Sequence, residues 1–258
     1  MSARATNEPK LDVLYEDNHL LVVNKPAPLA TMGSESGATA HSLAAAYIKH
    51  KYNKPGKAFV GIVSRLDSMT TGVLVMARTS KAASRLSAQF ADRSESGVGK
   101  IYLAAVDGPL ENPDGQLVDF VRKDDEARRM RVVDSNASKA QEARLRYVTL
   151  GANENTALLA VQLLTGRKHQ IRLQFADRGH AILGDRKYNS RKPFPLGVAL
   201  HSWRLQIIHP TLREKMWFET PLPKSWKGLK SITPTSSQIA QKVQDSFGLD
   251  DFDLSSDS

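Results

Sequence analysis

The sequence has no cysteine, which excludes disulfides, thiolate metal sites and cysteine nucleophiles at once. No apolar run approaches the roughly 20 residues that a membrane span requires. The opening residues, Met1 to Lys10, also lack the apolar core of a signal peptide. A cytoplasmic protein without a membrane partner is therefore expected. Aromatic residues make up only 7% of the chain, too few to suggest a base-stacking sheet of the RRM kind. The seven histidines show no ligand spacing such as His-x-x-x-His, so no metal site is expected. Gly97-Val98-Gly99-Lys100 lacks the first glycine and the Ser/Thr of a phosphate-binding P-loop. Ser64 stands outside a Gly-x-Ser-x-Gly elbow, and the acidic C-terminus lacks the glycine and terminal glutamate of a calcium loop.

What is present is an ordinary globular composition with an uneven charge. Hydrophobic residues are 41% and charged residues 24% of 258, enough for an ample core. The net charge is +9. From Thr233 onward there are five aspartates against Lys242 alone, a net −4, which leaves +13 on residues 1–232. A basic body fits a polyanionic partner, although charge alone leaves that question near even. The polar residues 1–10 read as a tail, residues 11–232 as one domain, and residues 233–258, rich in Ser, Gln and Asp, as a disordered acidic tail.

Hydrophobic patterning predicts strands over Leu11–Tyr15, Leu20–Asn24, Phe59–Val63, Val73–Ala77, Ile101–Val106, Met130–Val133, Ala143–Leu150, Thr156–Leu164, Trp203–Ile208 and Lys215–Glu219. Helices are predicted over Ser42–Tyr52, over Ser80–Phe90 with Thr79 or Ser80 as cap, and over His169–Arg178 ended by Gly179. Residues 107–128 are rich in Gly, Pro, Asp and Lys and promise one short strand near Leu117–Val121. Strands outnumber helices and hairpin spacings dominate. The reading is an α+β fold, a mostly antiparallel mixed sheet with flanking helices.

Arg65 and Asp67 stand in a polar turn between two apolar strands, where neither charge is cheap unless paired or used. Taken alone, Arg-x-Asp is a weak signal, readily explained as a structural salt bridge. Three further blocks change its weight. Its own block runs Ser64-Arg65-Leu66-Asp67-Ser68-Met69-Thr70-Thr71-Gly72, and the three that follow are Lys100-Ile101-Tyr102-Leu103-Ala104-Ala105-Val106-Asp107-Gly108, Thr165-Gly166-Arg167-Lys168-His169-Gln170-Ile171-Arg172 and Gly179-His180-Ala181-Ile182-Leu183-Gly184-Asp185. In order and spacing these resemble the RluA-type RNA pseudouridine synthases, over about residues 10–230. The opening Leu14 to Pro26 is similar to the start of that catalytic domain. Ser64, Thr71 and Ala181 replace the family's usual His, Ser and Pro; none of the three is a charged group of the chemistry.

The resemblance implies the isomerisation of uridines in structured ribosomal or transfer RNA, and the pseudouridine synthase catalytic fold. The C1′–N1 bond breaks, the uracil turns, and C5 is joined to C1′. No redox change occurs, so no cofactor is called for. On the matching positions Asp67 is the catalytic carboxylate, whether it attacks the sugar, attacks the ring or removes a sugar proton. Tyr102 matches the tyrosine that stacks on uracil, and Arg172 the cation that keeps the carboxylate ionised, since burial favours the neutral form. Arg65 is a candidate either to fill the place of an extruded base or to contact phosphate. Arg167, Lys168, His169 and Gln170 open a helix and suit RNA phosphate, with His169 the more structural of them. Arg122-Lys123 and Arg128-Arg129-Met130-Arg131 could track RNA backbone, but a solvated charge run is the commoner outcome. The ten N-terminal residues cannot supply the RNA-binding module that often precedes this domain, so recognition is expected to rest on the domain itself, acting as a monomer. The rival reading is an RNA-binding protein of the same fold with impaired catalysis.

Overall fold

The computed structural model describes residues 11–33, 37–92 and 98–248. The expected N-terminal tail and the last ten residues lie outside these. Where the sequence suggests one domain over 11–232, the chain divides into two compact units. Among the described residues, one comprises those up to Val98 with Gln206–Thr220, the other Gly99–Leu205 with those from Pro221 onward. The late hairpin returns to the N-terminal residues, which patterning along the chain cannot reveal.

In the first unit β1 (Asp12–Glu16) and β2 (Leu20–Lys25) form a hairpin. Its turn is held by Asp17, whose Oδ1 accepts from the backbone N–H of His19 (2.7 Å) and Leu20 (2.6 Å). β2 then pairs antiparallel with β4 (Thr71–Ala77), Lys25 lying opposite Gly72. Every residue of β4 is buried, as a strand covered on both faces requires. β3, only Gly61–Ile62, pairs with the far end of β4. α1 (Ala40–Lys51) is capped reciprocally by Thr39 and Ser42, and α2 (Ser80–Ala91) by Thr79. The Glu16 carboxylate accepts from Tyr47 Oη (2.9 Å), Lys51 Nζ (2.7 Å), Tyr52 Oη (2.7 Å) and Arg78 Nη1 (2.9 Å). That cluster ties α1 to the ends of β1 and β4.

The second unit is built on an antiparallel sheet in the order β5-β9-β8-β6-β7. Its strands are β5 (Gly99–Asp107), β6 (Asp114–Asp124), β7 (Arg129–Val133), β8 (Gln141–Asn153) and β9 (Thr156–Leu163). β10 (Leu200–Ile208) begins in this unit and ends in the first, where β11 (Lys215–Glu219) pairs with it. α3 (Gln170–Asp177) packs through Leu173 against Val121, Met130, Ala143 and Tyr188. Gly151 permits a close approach: a Cβ there would lie 2.2 Å from the Ile232 carbonyl oxygen. Among the described residues no helix is long and apolar enough to cross a membrane.

The class is α+β as expected, with two corrections of detail. β6 runs eleven residues where one short strand near Leu117–Val121 was expected. It pairs with β8 from Asp114 to Val121 and with β7 from Phe120 to Asp124, so every residue along its length has a strand partner. The disordered tail expected from Thr233 is instead a helix, α4 (Ser236–Phe247), with a Thr235–Gln238 capping box and Gly248 at φ +65° beyond its end. Ile239, Ala240, Val243 and Phe247 are buried where α4 packs on β8 and β9. Polar composition masked this apolar stripe. Replacing Ile239 with Ala is expected to cost about 2 kcal/mol in urea unfolding, whereas a disordered tail would give no change.

Candidate active site

Asp67 is half-buried in the loop between β3 and β4. The chain following β2 runs along this loop and bonds to it on both sides of the carboxylate. On one side Thr31 Oγ1 donates to the Leu66 carbonyl (2.8 Å) and accepts from the Leu66 N–H (3.1 Å). On the other, the Leu29 N–H donates to the Ser68 carbonyl (2.9 Å). The Asp67 carbonyl itself accepts from Thr70 N–H (3.0 Å), closing the turn, and Gly72 follows at φ +112°, a conformation that disfavours other residues.

Beneath the loop lies Lys25, 0% exposed. Its ammonium donates to the carbonyls of Leu29 (2.8 Å), Pro26 (2.9 Å) and Ser68 (3.3 Å). Three acceptors match the three N–H bonds of the charged form. Burial pushes this lysine down to about 7, opposed by the Asp67 carboxylate. Sequence reasoning missed Lys25. Its signal was a lysine closing the apolar strand Leu20–Asn24 just before Pro26, an expensive place for a charge without partners. Arg65 and Met69 are exposed beside Asp67, and Ser64 is half-buried.

In the second unit Tyr102, half-buried on β5, lies opposite Val161 of β9. The turn after β9 is organised by Gln170, 3% exposed. Its Oε1 accepts from Thr165 Oγ1 (2.7 Å) and Arg167 N–H (3.0 Å), and its Nε2 donates to the Arg144 carbonyl (3.0 Å). The amide expected to meet RNA thus holds the turn. Arg167 is half-buried, its Nε donating to the Glu142 carbonyl (2.8 Å). His169 adopts φ +54° immediately before α3, with Nδ1 2.8 Å from Tyr188 Oη, which in turn accepts from Met130 N–H (3.1 Å). Lys168 is exposed. Arg172 donates Nε and Nη2 to the two oxygens of Asp185 (2.6 and 2.8 Å), both side chains being buried. The sequence reading gives Arg172 to Asp67 and a structural role to Asp185. Asp185 is the fixed counter-ion that orients the guanidinium. Lys100, mostly buried at the start of β5, has its ammonium lowered by desolvation.

Residues 19–177 match the RNA pseudouridylate synthase family. The chain belongs to that family. The dual-specificity RNA pseudouridine synthase RluA of Salmonella typhimurium is 35% identical over 217 residues, covering 83% of this chain and 94% of its own. Ribosomal large subunit pseudouridine synthase D of Zymomonas mobilis is 33% identical over 250 residues, 91% of this chain and 77% of its own. Human RNA Pseudouridylate Synthase Domain Containing 4 shares the fold, with a TM-score of 0.70 at 24% identity over 85% of this chain and 93% of that one. The RluA-type resemblance of the four motifs is thereby established, and the protein is an RNA pseudouridine synthase, an isomerase.

For this pseudouridine synthase two outcomes follow from the buried charges. A lysine with a folded-state value near 7 binds fewer protons than the unfolded chain between pH 7 and about 10.5. Stability should therefore rise with pH across that window, and the penalty for a charged Lys25 should be fully present below it. The 13Cε resonance of Lys25 should titrate near 7, and urea unfolding from pH 7 to 9 should show the gain. Arg172→Met leaves Asp185 buried without its cation and should cost about 3–5 kcal/mol of stability, seen as an earlier urea midpoint. A midpoint within error of wild type would show that Asp185 does not depend on Arg172.

Proposed function

We propose that Asp67 is the carboxylate that drives isomerisation of specific uridines in structured ribosomal or transfer RNA, and that the enzyme works as a monomer in the cytoplasm. Tyr102 supplies the ring for the uracil. Arg172, oriented by Asp185, supplies the positive charge that favours an ionised carboxylate. Arg65 and Lys168, both exposed, contact the RNA, with Arg167 and His169 contributing as parts of the same turn. Gln170 acts by holding that turn. The observation that carries this reading is the Asp67 loop: a half-buried carboxylate whose chain neighbours are bonded on both sides. A purely structural salt bridge would need no such fixation of the backbone. The relative named for the ribosomal large subunit supports ribosomal RNA as a substrate.

The chemistry conserves atoms and electrons. The C1′–N1 bond breaks, a C5–C1′ bond forms, the proton on C5 leaves and N1 gains one. Asp67→Asn keeps the shape but removes the nucleophile or base. Turnover should fall by at least about a thousandfold, roughly 4 kcal/mol, with RNA binding and fold retained. Tritium release from 5-tritiated uridine in RNA measures this directly. Activity within tenfold of wild type would remove Asp67 from the chemistry, and an inactive wild type that still binds RNA would favour the impaired binding protein.

A further inference from the structure

We propose that Met32 and Met69 are substrate-binding residues that flank Asp67 and seat the RNA bases on either side of the target uridine; this rests on the reading of Asp67 given above. The chain following β2 runs antiparallel to the Asp67 loop, with Thr31 Oγ1 bonded to Leu66 and the Leu29 N–H to the Ser68 carbonyl. One residue beyond the first of these pairs, the register places Met32 beside Arg65. One residue beyond Ser68 lies Met69, in the turn that the Thr70 N–H closes onto the Asp67 carbonyl (3.0 Å). Asp67 thus has a methionine on each flank. Both are exposed, Met32 to 51% and Met69 to 37%.

Core packing does not explain two exposed methionines here. Met76 and Met130 are buried, and so are Thr31 and Thr70, the chain neighbours of Met32 and Met69. The backbone therefore anchors the adjoining residue and leaves each thioether to solvent. An RNA that delivers a uridine to Asp67 must bring its two adjoining nucleotides over these flanks, since each is one backbone link away. Once the uridine leaves the stack, each of those bases has lost a stacking neighbour and presents an apolar face. Methionine suits that face, being unbranched, polarisable and favourable against aromatic rings without selecting a hydrogen-bonding edge. Apolar side chains, methionine among them, are used in the same way as wedges between base steps. Arg65, exposed beside Met32, supplies the charge that suits a phosphate linking those nucleotides. The occupant is thus a pair of nucleobases with their phosphates. An apolar peptide would have to bury a guanidinium and a carboxylate between the two methionines.

The test is RNA binding and kinetics for Met32→Ala, Met69→Ala, their double variant, Met32→Leu and Met69→Leu, with Arg65→Ala and Asp67→Asn as references. The probe is a 5-tritiated ribosomal RNA transcript from which the wild type releases tritium. Each alanine should weaken RNA binding and raise KM by about fivefold. The double variant should lose about twenty-fivefold, since the two flanks are separate. At saturating RNA kcat should stay within threefold, and each leucine variant should bind within twofold of wild type. The loss at the alanine variants should persist as salt is raised, because the contact is apolar, whereas Arg65→Ala should reduce the salt dependence itself. Both side chains are exposed, so urea midpoints should match wild type; should one alanine variant not fold, the other decides. The proposal is overturned if the alanine variants bind RNA within twofold of wild type, if they lower kcat and leave KM unchanged, or if their loss disappears at high salt. If Asp67→Asn stays active, the reading of Asp67 falls and the two seats with it. If Asp67→Asn is inactive and the alanine variants bind normally, the seats alone fall.

Discussion

A carboxylate at a chain reversal faces two demands: the backbone must be immobile, and the charge must be tolerated without being quenched. In this protein the first falls in part on the ammonium of Lys25, which bonds to the Ser68 carbonyl beside Asp67. Its three carbonyl partners satisfy every N–H it has, which offsets part of the cost of burial. One of those carbonyls belongs to Ser68, next to Asp67. The β2–β4 register explains why this works, since Lys25 pairs with Gly72 just where the loop becomes strand. Remove the pairing, and the side chain has no fixed point from which to hold the loop.

The second unit solves a similar problem with different groups. Of the segment Thr165 to Arg172, Thr165, Gln170, Ile171 and Arg172 are buried while Gly166 and Lys168 are exposed. The inward polar residues bond to one another, to Arg144 or to Asp185. Arg172 is a fork held bidentately, a geometry that a lysine could not reproduce. His169, in the left-handed region and beside Tyr188, fixes where α3 begins. Motif residues are therefore of two kinds: those buried to build the turn and those exposed on it.

Most of the fold was readable because periodicity reports burial. β4, as an unbroken apolar run, and α2, as an amphipathic stripe after Thr79, came out with near-correct ends. The misses have physical causes. α4 hides four buried residues among Ser, Gln and Asp, so composition outweighed pattern. β6 draws its stability from two neighbouring strands rather than from its own residues. At the site, the motif residues were visible as a resemblance, but their partners were not. Gln170 and Arg172 bond to groups 13 to 26 residues away in sequence. Lys25 was overlooked because its role depends on carbonyls, which carry no sequence signature.

The basic character of the chain also reads differently once the side chains are placed. Arg122 stands directly opposite Arg131 across the β6–β7 hairpin, an arrangement that costs stability unless the charges are relieved. The hairpin relieves them locally. Arg131 approaches Asp124 at 3.9 Å, Lys123 pairs with Asp125, and Arg122 donates to the Ser138 carbonyl at 3.4 Å. Arg78 and Lys51 are likewise committed to Glu16, and Arg178 to Asp119. These particular cations are thus answered locally by carboxylates or carbonyls, which favours the solvated reading of the hairpin and leaves the net excess of +9 to other cations. Arg65 and Lys168, the cations proposed to meet a polyanion, are exposed on the motif turns themselves. Attraction of RNA and the chemistry would then be supplied by neighbouring residues of the same short segments, so that a change in either motif alters both.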